Sequence, residues 1–321
     1  MDTAYTAALE SAAYYPLPNP GLLRVSGADR AAFIQRQTTN DIRQLSAGQL
    51  QLSVLTNPAA RILDVFHLMV DDEGLLALTL PGKGAATTAY LKSRIFFMDK
   101  VNLADQSTGF SQVELIGPGS ATLLQQLGIA DFPAELQVVH TEIGGAGMHL
   151  LGRAPGIDLG LRLLLPGGSR ASVLATLEQA GFAPLSPDQY DLLRIETGLP
   201  AAGRELTEEY TPLETGLAGA ISAAKGCYTG QEIIARQVTY DKVTQRLCGV
   251  RLEVDVPAGL RLWAEGKLAG TLTSTAVSPR FGAIGLAIVK RPHDQPGTTL
   301  AAGDSAVNRA ATAVISTLPF A

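Results

Sequence analysis

The chain has 321 residues, of which 46% are hydrophobic and 17% charged, and this composition is typical of a globular protein with two or three packed units. Its net charge is −5 and no basic stripe follows the chain. We expect no direct nucleic-acid binding, because such binding depends on lysines and arginines that neutralise phosphates. Two cysteines cannot build a disulfide framework or hold an iron–sulfur cluster alone, and four scattered histidines lack metal-site spacing, so no resident metal is predicted.

No apolar run approaches the roughly 20 residues that are needed to cross a bilayer. The N-terminus also lacks the basic start and the apolar core of a signal peptide. The sequence therefore predicts a cytoplasmic protein without a membrane partner.

Alternating strands and helices are predicted for the first half of the chain. The predicted strands are Leu22–Val25, Ile62–Val70, Leu75–Leu80, Ile95–Leu103, Gln112–Ile116, Val138–Val139 and Leu159–Leu165. The predicted helices pass through Phe33 and Ile34 after a capping-box start at Ser26–Asp29, and then cover Ala85–Lys92, Ala121–Leu127 and Ala171–Ala180. This order predicts α+β sheets with helices on one face. The glycine-rich loop Gly144–Gly147 lacks the spacing of a phosphate-binding loop, so we interpret it as a hairpin turn.

Short strands separated by glycine and proline turns fill the chain from about Leu247 to the end. They are predicted at Val250–Val254, Leu260–Ala264, Lys267–Ser274, Ala283–Val289 and Ala306–Ile315. This pattern of short strands and turns is typical of a small closed β domain. We therefore predict two regions, 1–245 and 246–321, and the first of them divides into two lobes somewhere within 110–185.

A helix is predicted to begin after Ser186, with Pro187 at its first position, and to end before Gly198. On the helical wheel Glu196 falls inside the apolar arc, and Arg194 falls on the opposite face, where a surface ion pair with Asp191 is expected. A buried carboxylate needs a partner. One hypothesis is a structural partner from elsewhere in the chain; the other is a ligand that presents two N–H donors, as a pterin ring does.

A second informative segment runs from Lys225 to Arg236. Thr229 and Glu232 have the spacing of a capping box, which is a purely structural role. Cys227 lies before a helix and two residues from Lys225, and both features favour a thiolate. The alternative is a small buried cysteine that fills a gap, which is the common fate of a lone cysteine.

These segments resemble known proteins. Lys225–Glu232 is similar to the signature of the YgfZ family, the folate-binding proteins linked to iron–sulfur cluster assembly and repair. The stretches that resemble a pattern shared with the glycine cleavage T protein are Val25–Asp41, Leu193–Pro200, Thr211–Glu214, and Gly270–Ser274 with Ser278-Pro279.

The resemblance implies a fold of two ferredoxin-like, antiparallel-sheet lobes and a C-terminal β-barrel, with tetrahydrofolate as the cofactor. It implies that Glu196 holds the pterin, and it makes Asp64 and Arg194 further candidates for cofactor contact. Cys227, supported by Lys225, becomes the candidate reactive thiol and a candidate transient cluster ligand. The implied partners are folate and iron–sulfur proteins or their assembly factors, including enzymes that modify tRNA.

One departure from the T-protein pattern concerns the paired acids of that family. The second acid is Val65 in this chain, and Asp64 could replace it only if the strand register differed. A carboxylate beside a transferring group contributes on the order of 10²–10⁴-fold to a rate. The sequence therefore favours a folate-binding accessory protein. An aminomethyltransferase and a scaffold without ligand remain the alternatives.

Overall fold

The computed structural model describes residues 3–321. The chain divides into two compact units. The first, here called the lobe unit, runs up to Pro187 and includes Gly219–Gln231. The second, the barrel unit, consists of Asp188–Ala218 and Glu232–Ala321. The sequence boundary near residue 245 remains a prediction.

Within residues 3–321, the lobe unit contains eleven strands and five α-helices. In chain order the strands are β1 (Ala13–Pro16), β2 (Gly21–Ser26), β3 (Leu50–Thr56), β4 (Ile62–Asp71), β5 (Gly74–Thr79), β6 (Asn102–Asp105), β7 (Phe110–Ile116), β8 (Val138–Ile143), β9 (Ala146–Leu151), β10 (Leu161–Pro166) and β11 (Ala183–Pro184). The helices are α1 (Thr3–Glu10), α2 (Arg30–Gln37), α3 (Gly84–Lys92), α4 (Ser120–Gln126) and α5 (Arg170–Ala180).

Two sheets form the lobe unit. One has five strands in the order β3-β4-β5-β2-β6, and the other has six in the order β11-β1-β7-β10-β9-β8. All neighbouring strands are antiparallel except β1 and β11. The predicted pair of antiparallel-sheet lobes is confirmed.

Each sheet carries its helices on one face. In the first sheet, Phe33 and Ile34 of α2 and Leu91 of α3 share a buried cluster with Leu23 and Phe66 of the strands. In the second sheet, the helices α4 and α5 contribute to an equivalent cluster with β7 and β10.

The opposite faces of the two sheets meet each other. Leu50, Met69 and Leu78 of the first sheet lie in one cluster with Leu151 and Leu164 of the second. Strands that are buried on both faces have nearly continuous apolar sequences, which is why β4 and β5 are easy to recognise in the sequence.

The barrel unit contains a closed six-stranded barrel and most of two helices, α6 (Pro187–Thr197) and α7 (Gln231–Thr239). Its strands are β12 (Gln245–Leu252), β13 (Arg261–Ala264), β14 (Lys267–Ser278), β15 (Gly282–Lys290), β16 (Thr299–Gly303) and β17 (Arg309–Ser316). The barrel closes in the order β12-β15-β14-β13-β16-β17. The predicted closed β domain is confirmed, although the final predicted strand is in fact preceded by a further strand, β16.

Other local predictions are wrong. The capping box at Ser26–Asp29 does not form: Asp29 makes no cap to α2, and its carboxylate accepts the backbone N–H of Lys100 at 2.8 Å instead. The capping box of Thr229 and Glu232 is also absent. The Thr229 N–H donates to the carbonyl of Arg36, and Glu232 pairs with Arg236.

The predicted strand Ile95–Leu103 is wrong over most of its length, because β6 begins only at Asn102. Ahead of it the chain makes a turn in which the Asp99 N–H donates to the carbonyl of Phe96 at 2.9 Å. Among residues 3–321, no helix is both long enough and apolar enough to pass through a bilayer.

Candidate functional site

Glu196 lies near the end of α6, where four consecutive residues, Leu193–Glu196, are buried. Successive helical residues are about 100° apart, so burial of four in a row encloses the helix on all sides. The Glu196 carboxylate accepts a hydrogen bond from Ser278 Oγ at 2.5 Å, and its Oε2 lies 3.7 Å from Nη1 of Arg280. The predicted inward orientation of Glu196 is confirmed, and the chain itself supplies these two partners.

Ser278 holds this carboxylate in a defined orientation. Its Oγ accepts the backbone N–H groups of Arg280 and Phe281, both at 3.0 Å. A hydroxyl has one proton and two acceptor positions. Both acceptor positions are used by these N–H groups, so the proton points to Glu196.

Arg194 is not the surface residue that the helical wheel predicts. Its side chain is 4% exposed and forms an ion pair with Asp191 at 2.5 Å, as expected, and a second with Glu205 at 3.3 Å. It also donates to Ser274 Oγ at 2.8 Å. Glu205 is fully buried, and the Oγ of Ser274 donates to it at 2.7 Å. The donors of Arg194 are directed into this network, which gives Arg194 a structural role in the barrel unit.

Asp64 is enclosed in the first sheet. Its carboxylate accepts the backbone N–H groups of Val65 at 2.8 Å and Leu80 at 2.9 Å and the hydroxyl of Thr87 at 2.5 Å. It is 0% exposed, and burial raises the pKa of Asp64 to about 7 despite these hydrogen bonds. A direct cofactor contact would require the three hydrogen bonds to open.

Val65 follows on the same strand, and neighbouring strand residues point to opposite faces. It lies opposite Val54 of β3 and is 1% exposed. The strand register therefore places Val65 on one face of the sheet and Asp64 on the other.

Lys225 lies against the end of α2. Its ammonium group donates to the backbone carbonyls of Gln35 at 2.7 Å, Thr38 at 2.5 Å and Asn40 at 2.7 Å. An ammonium group has three donors, so none remains for the thiol of Cys227. Burial lowers the pKa of Lys225 to about 8. The sequence predicts that Lys225 supports the Cys227 thiol, but Lys225 has no donor left for a direct hydrogen bond to it.

Cys227 itself is exposed, whereas Cys248 is buried. Burial raises the pKa of the Cys248 thiol to about 12. Cys248 belongs to the apolar core of the barrel, which is a structural role.

Comparison with known proteins identifies the family. The GCVT N-terminal domain family matches residues 5–225, and the glycine cleavage T-protein C-terminal barrel domain family matches residues 245–321. The chain belongs to the glycine cleavage T-protein family. An aminomethyltransferase of Thermus thermophilus is 30% identical over 95% of this chain and 86% of its own length. A chloroplastic protein of Arabidopsis thaliana, whose name assigns it provisionally to the transferases, is 34% identical over 94% of this chain and 69% of its own length.

The fold of this T-protein family member also matches a solved structure. The crystal structure of the glycine cleavage system aminomethyltransferase T from Bartonella henselae superposes with a TM-score of 0.85. The match covers 99% of this chain and 88% of that one, at 21% sequence identity. This likeness confirms the fold class and gives no information about activity.

Proteins of the T-protein family bind tetrahydrofolate, and the predicted folate cofactor is consistent with membership. The Glu196 carboxylate is a hydrogen-bond acceptor, and the pterin end of such a cofactor presents N–H donors. A carboxylate has about four acceptor positions on two oxygens, and the Ser278 hydroxyl is one of the partners that the chain supplies to them. Arg280 is 49% exposed, so its long side chain has room to move away.

Sequence reasoning missed the partners of these residues. In the sequence Ser278 belongs to a barrel motif, and no pattern marks Arg280 or Glu205 as a partner. The dipeptide Ser278-Pro279 followed by the basic Arg280 is the sequence signal that could have pointed to Ser278 and Arg280. Glu205 lies in a loop and has no periodic signal.

Proposed function

We propose that this T-protein family member is a tetrahydrofolate-binding accessory protein of the YgfZ type. It would act in the cytoplasm in the assembly or repair of iron–sulfur enzymes, including enzymes that modify tRNA. Glu196 would anchor the pterin, and the exposed Cys227 would act on the client or its cluster.

The observation that carries this proposal is the fixed register of β4. By resemblance, the acid that assists aminomethyl transfer stands where this chain has Val65, and that side chain is packed against its neighbours. Asp64 is committed to its three internal hydrogen bonds. A valine cannot exchange a proton, so binding without aminomethyl transfer is the function that the geometry supports best.

Folate binding can be measured by isothermal titration with folinic acid. We expect Glu196→Gln to weaken binding by about 10- to 100-fold, because a buried charge-assisted pair of hydrogen bonds is lost. Glu232→Gln is the matched control, since Glu232 is 76% exposed. If the wild-type protein gives no heat at micromolar concentration, the chain is a scaffold without ligand.

The second candidate function is aminomethyl transfer, because the Thermus relative with 30% identity is named an aminomethyltransferase. An assay with an aminomethylated lipoyl carrier protein and tetrahydrofolate separates the two candidates. We expect no methylene-tetrahydrofolate above background. Robust turnover would refute the accessory role.

The iron–sulfur role is tested in cells that lack this chain. We expect the activity of [4Fe–4S] enzymes and the level of thiolated tRNA to fall, and the wild-type chain to restore both. Cys227→Ser should fail to restore them although it still binds folinic acid. Full rescue by Cys227→Ser would remove the thiol from the proposal.

A further inference from the structure

A turn in the lobe unit exposes three consecutive large apolar side chains. Phe96 is 66% exposed, Phe97 99% and Met98 74%. Single exposed apolar residues are normal on protein surfaces, but a contiguous group is typical of an interaction site. The proposed folate function leaves this group, the apolar turn Phe96–Met98, unexplained.

The apolar turn is held in place. The Asp99 carboxylate accepts the backbone N–H of Phe96 at 2.7 Å, and Asp99 also forms an ion pair with Arg36. The guanidinium carbon of Arg36 lies 5.4 Å from the centre of the Phe96 ring. Contacts of this kind order the turn before any partner arrives, which lowers the entropy cost of binding.

The apolar turn lies beside the segment that carries Cys227. Arg36, which holds the turn through its side chain, accepts the Thr229 N–H through its backbone carbonyl at 3.3 Å. Lys225 is fixed to the carbonyl of the preceding residue, Gln35, at 2.7 Å. The exposed Cys227 is between these two anchor points. The thiol and the apolar turn therefore flank the same end of α2.

The charges around the apolar turn indicate which kind of partner can bind there. Lys92, Arg94 and Lys100 are exposed, and the one acid of the segment, Asp99, is paired with Arg36. An apolar centre with a basic rim fits a protein that has an apolar cleft bordered by carboxylates.

A second copy of the chain fits less well, because in a symmetric dimer the basic rim would face its own copy, which is repulsive. An anionic membrane carries the same sign of charge as an acidic protein, so binding to anionic vesicles is a separate outcome of the test.

We propose that the apolar turn Phe96–Met98 is the docking site for an acidic iron–sulfur protein, which is thereby brought to Cys227. This inference rests on the proposed function, since that function supplies the client class. The apolar side chains would enter the cleft of the client, and Lys92, Arg94 and Lys100 would pair with its acidic border.

The probe is an acidic [4Fe–4S] ferredoxin, titrated into the full chain at low salt. We expect Phe97→Ser to weaken binding by at least about tenfold, as for a central apolar residue of an interface. The charge reversal Arg94→Glu should slow association and reduce the salt dependence. Val307→Ser and Lys290→Glu are matched controls in the barrel unit, since Val307 is 95% exposed and Lys290 is exposed. Neither control should change the affinity for ferredoxin.

Parallel titration with folinic acid separates this inference from the proposed function. If wild-type protein binds folinic acid but not ferredoxin, or if Phe97→Ser binds ferredoxin as tightly as wild type, the docking site is refuted and the folate function stands. Loss of self-association or of binding to anionic vesicles in Phe97→Ser, with ferredoxin binding unchanged, would assign the turn to a second copy or to a membrane. Absence of folinic acid binding would instead refute the proposed function.

Discussion

The buried carboxylate of Asp64 makes a specific prediction about stability and pH. Its pKa is raised to about 7 by burial, from an ordinary value near 3.8. For an acid whose folded pKa is higher than its unfolded pKa, the folded state binds more protons between the two values. The stability of the protein should therefore fall as the pH rises from about 4 to about 7.

Asp64→Asn removes this titration and keeps the shape. The asparagine oxygen can accept the Val65 and Leu80 N–H groups, and its NH₂ can donate to Thr87 after the hydroxyl rotates. The variant should therefore behave as a permanently protonated Asp64. A pKa about three above the unfolded value corresponds to an upper limit of about 4 kcal/mol.

The assay is urea unfolding of wild type and Asp64→Asn between pH 5 and pH 8.5. We expect the variant to be more stable than wild type at both ends, by about 1–2 kcal/mol at pH 5 and by about 3–4 kcal/mol at pH 8.5, so that the difference grows as the pH rises. Asp72→Asn is the control, because Asp72 is exposed in the β4–β5 turn. Parallel pH profiles, or an Asp64→Asn variant that is less stable at pH 8.5, would refute the reasoning.

Three further variants test the contacts of the site. Arg194→Met should destabilise the protein by about 3–5 kcal/mol in urea unfolding, since it removes the cation beside the buried Glu205 carboxylate. Lys225→Met should cost about 2–4 kcal/mol and speed proteolysis of its segment, because three carbonyls lose a charged donor. Ser278→Ala should weaken folinic acid binding severalfold in titration calorimetry, because Glu196 loses its orienting donor.

Exposed residues serve as controls for these three variants. Arg236→Met breaks an ion pair whose arginine is 65% exposed, and it should cost less than about 1 kcal/mol. Lys267→Met and Ser172→Ala change exposed side chains and should leave stability and folate affinity unchanged. The interpretation of Arg194 is wrong if its variant is no worse than Arg236→Met. That of Lys225 is wrong if proteolysis is unaffected, and that of Ser278 if affinity is unchanged.

The sequence by itself determined the features that depend on local patterns. Pro187 at the start and Gly198 after the end define α6, and its periodicity placed Glu196 on a buried face. The even spacing of short strands and turns predicted the barrel, since each hairpin is specified by its own residues. The T-protein family, too, could be identified from motifs that are continuous in the chain.

Only the tertiary structure decided where the charged side chains of the site find their partners. Lys225 binds carbonyls that are 185 to 190 residues away in sequence. Arg194 is buried because Glu205 approaches it from a loop. The segment after Ile95 is a turn because Asp99 pairs with Arg36 of a distant helix. A contact between distant residues leaves no periodic signal in either segment, so propensity and pattern cannot reveal it until the chain has folded.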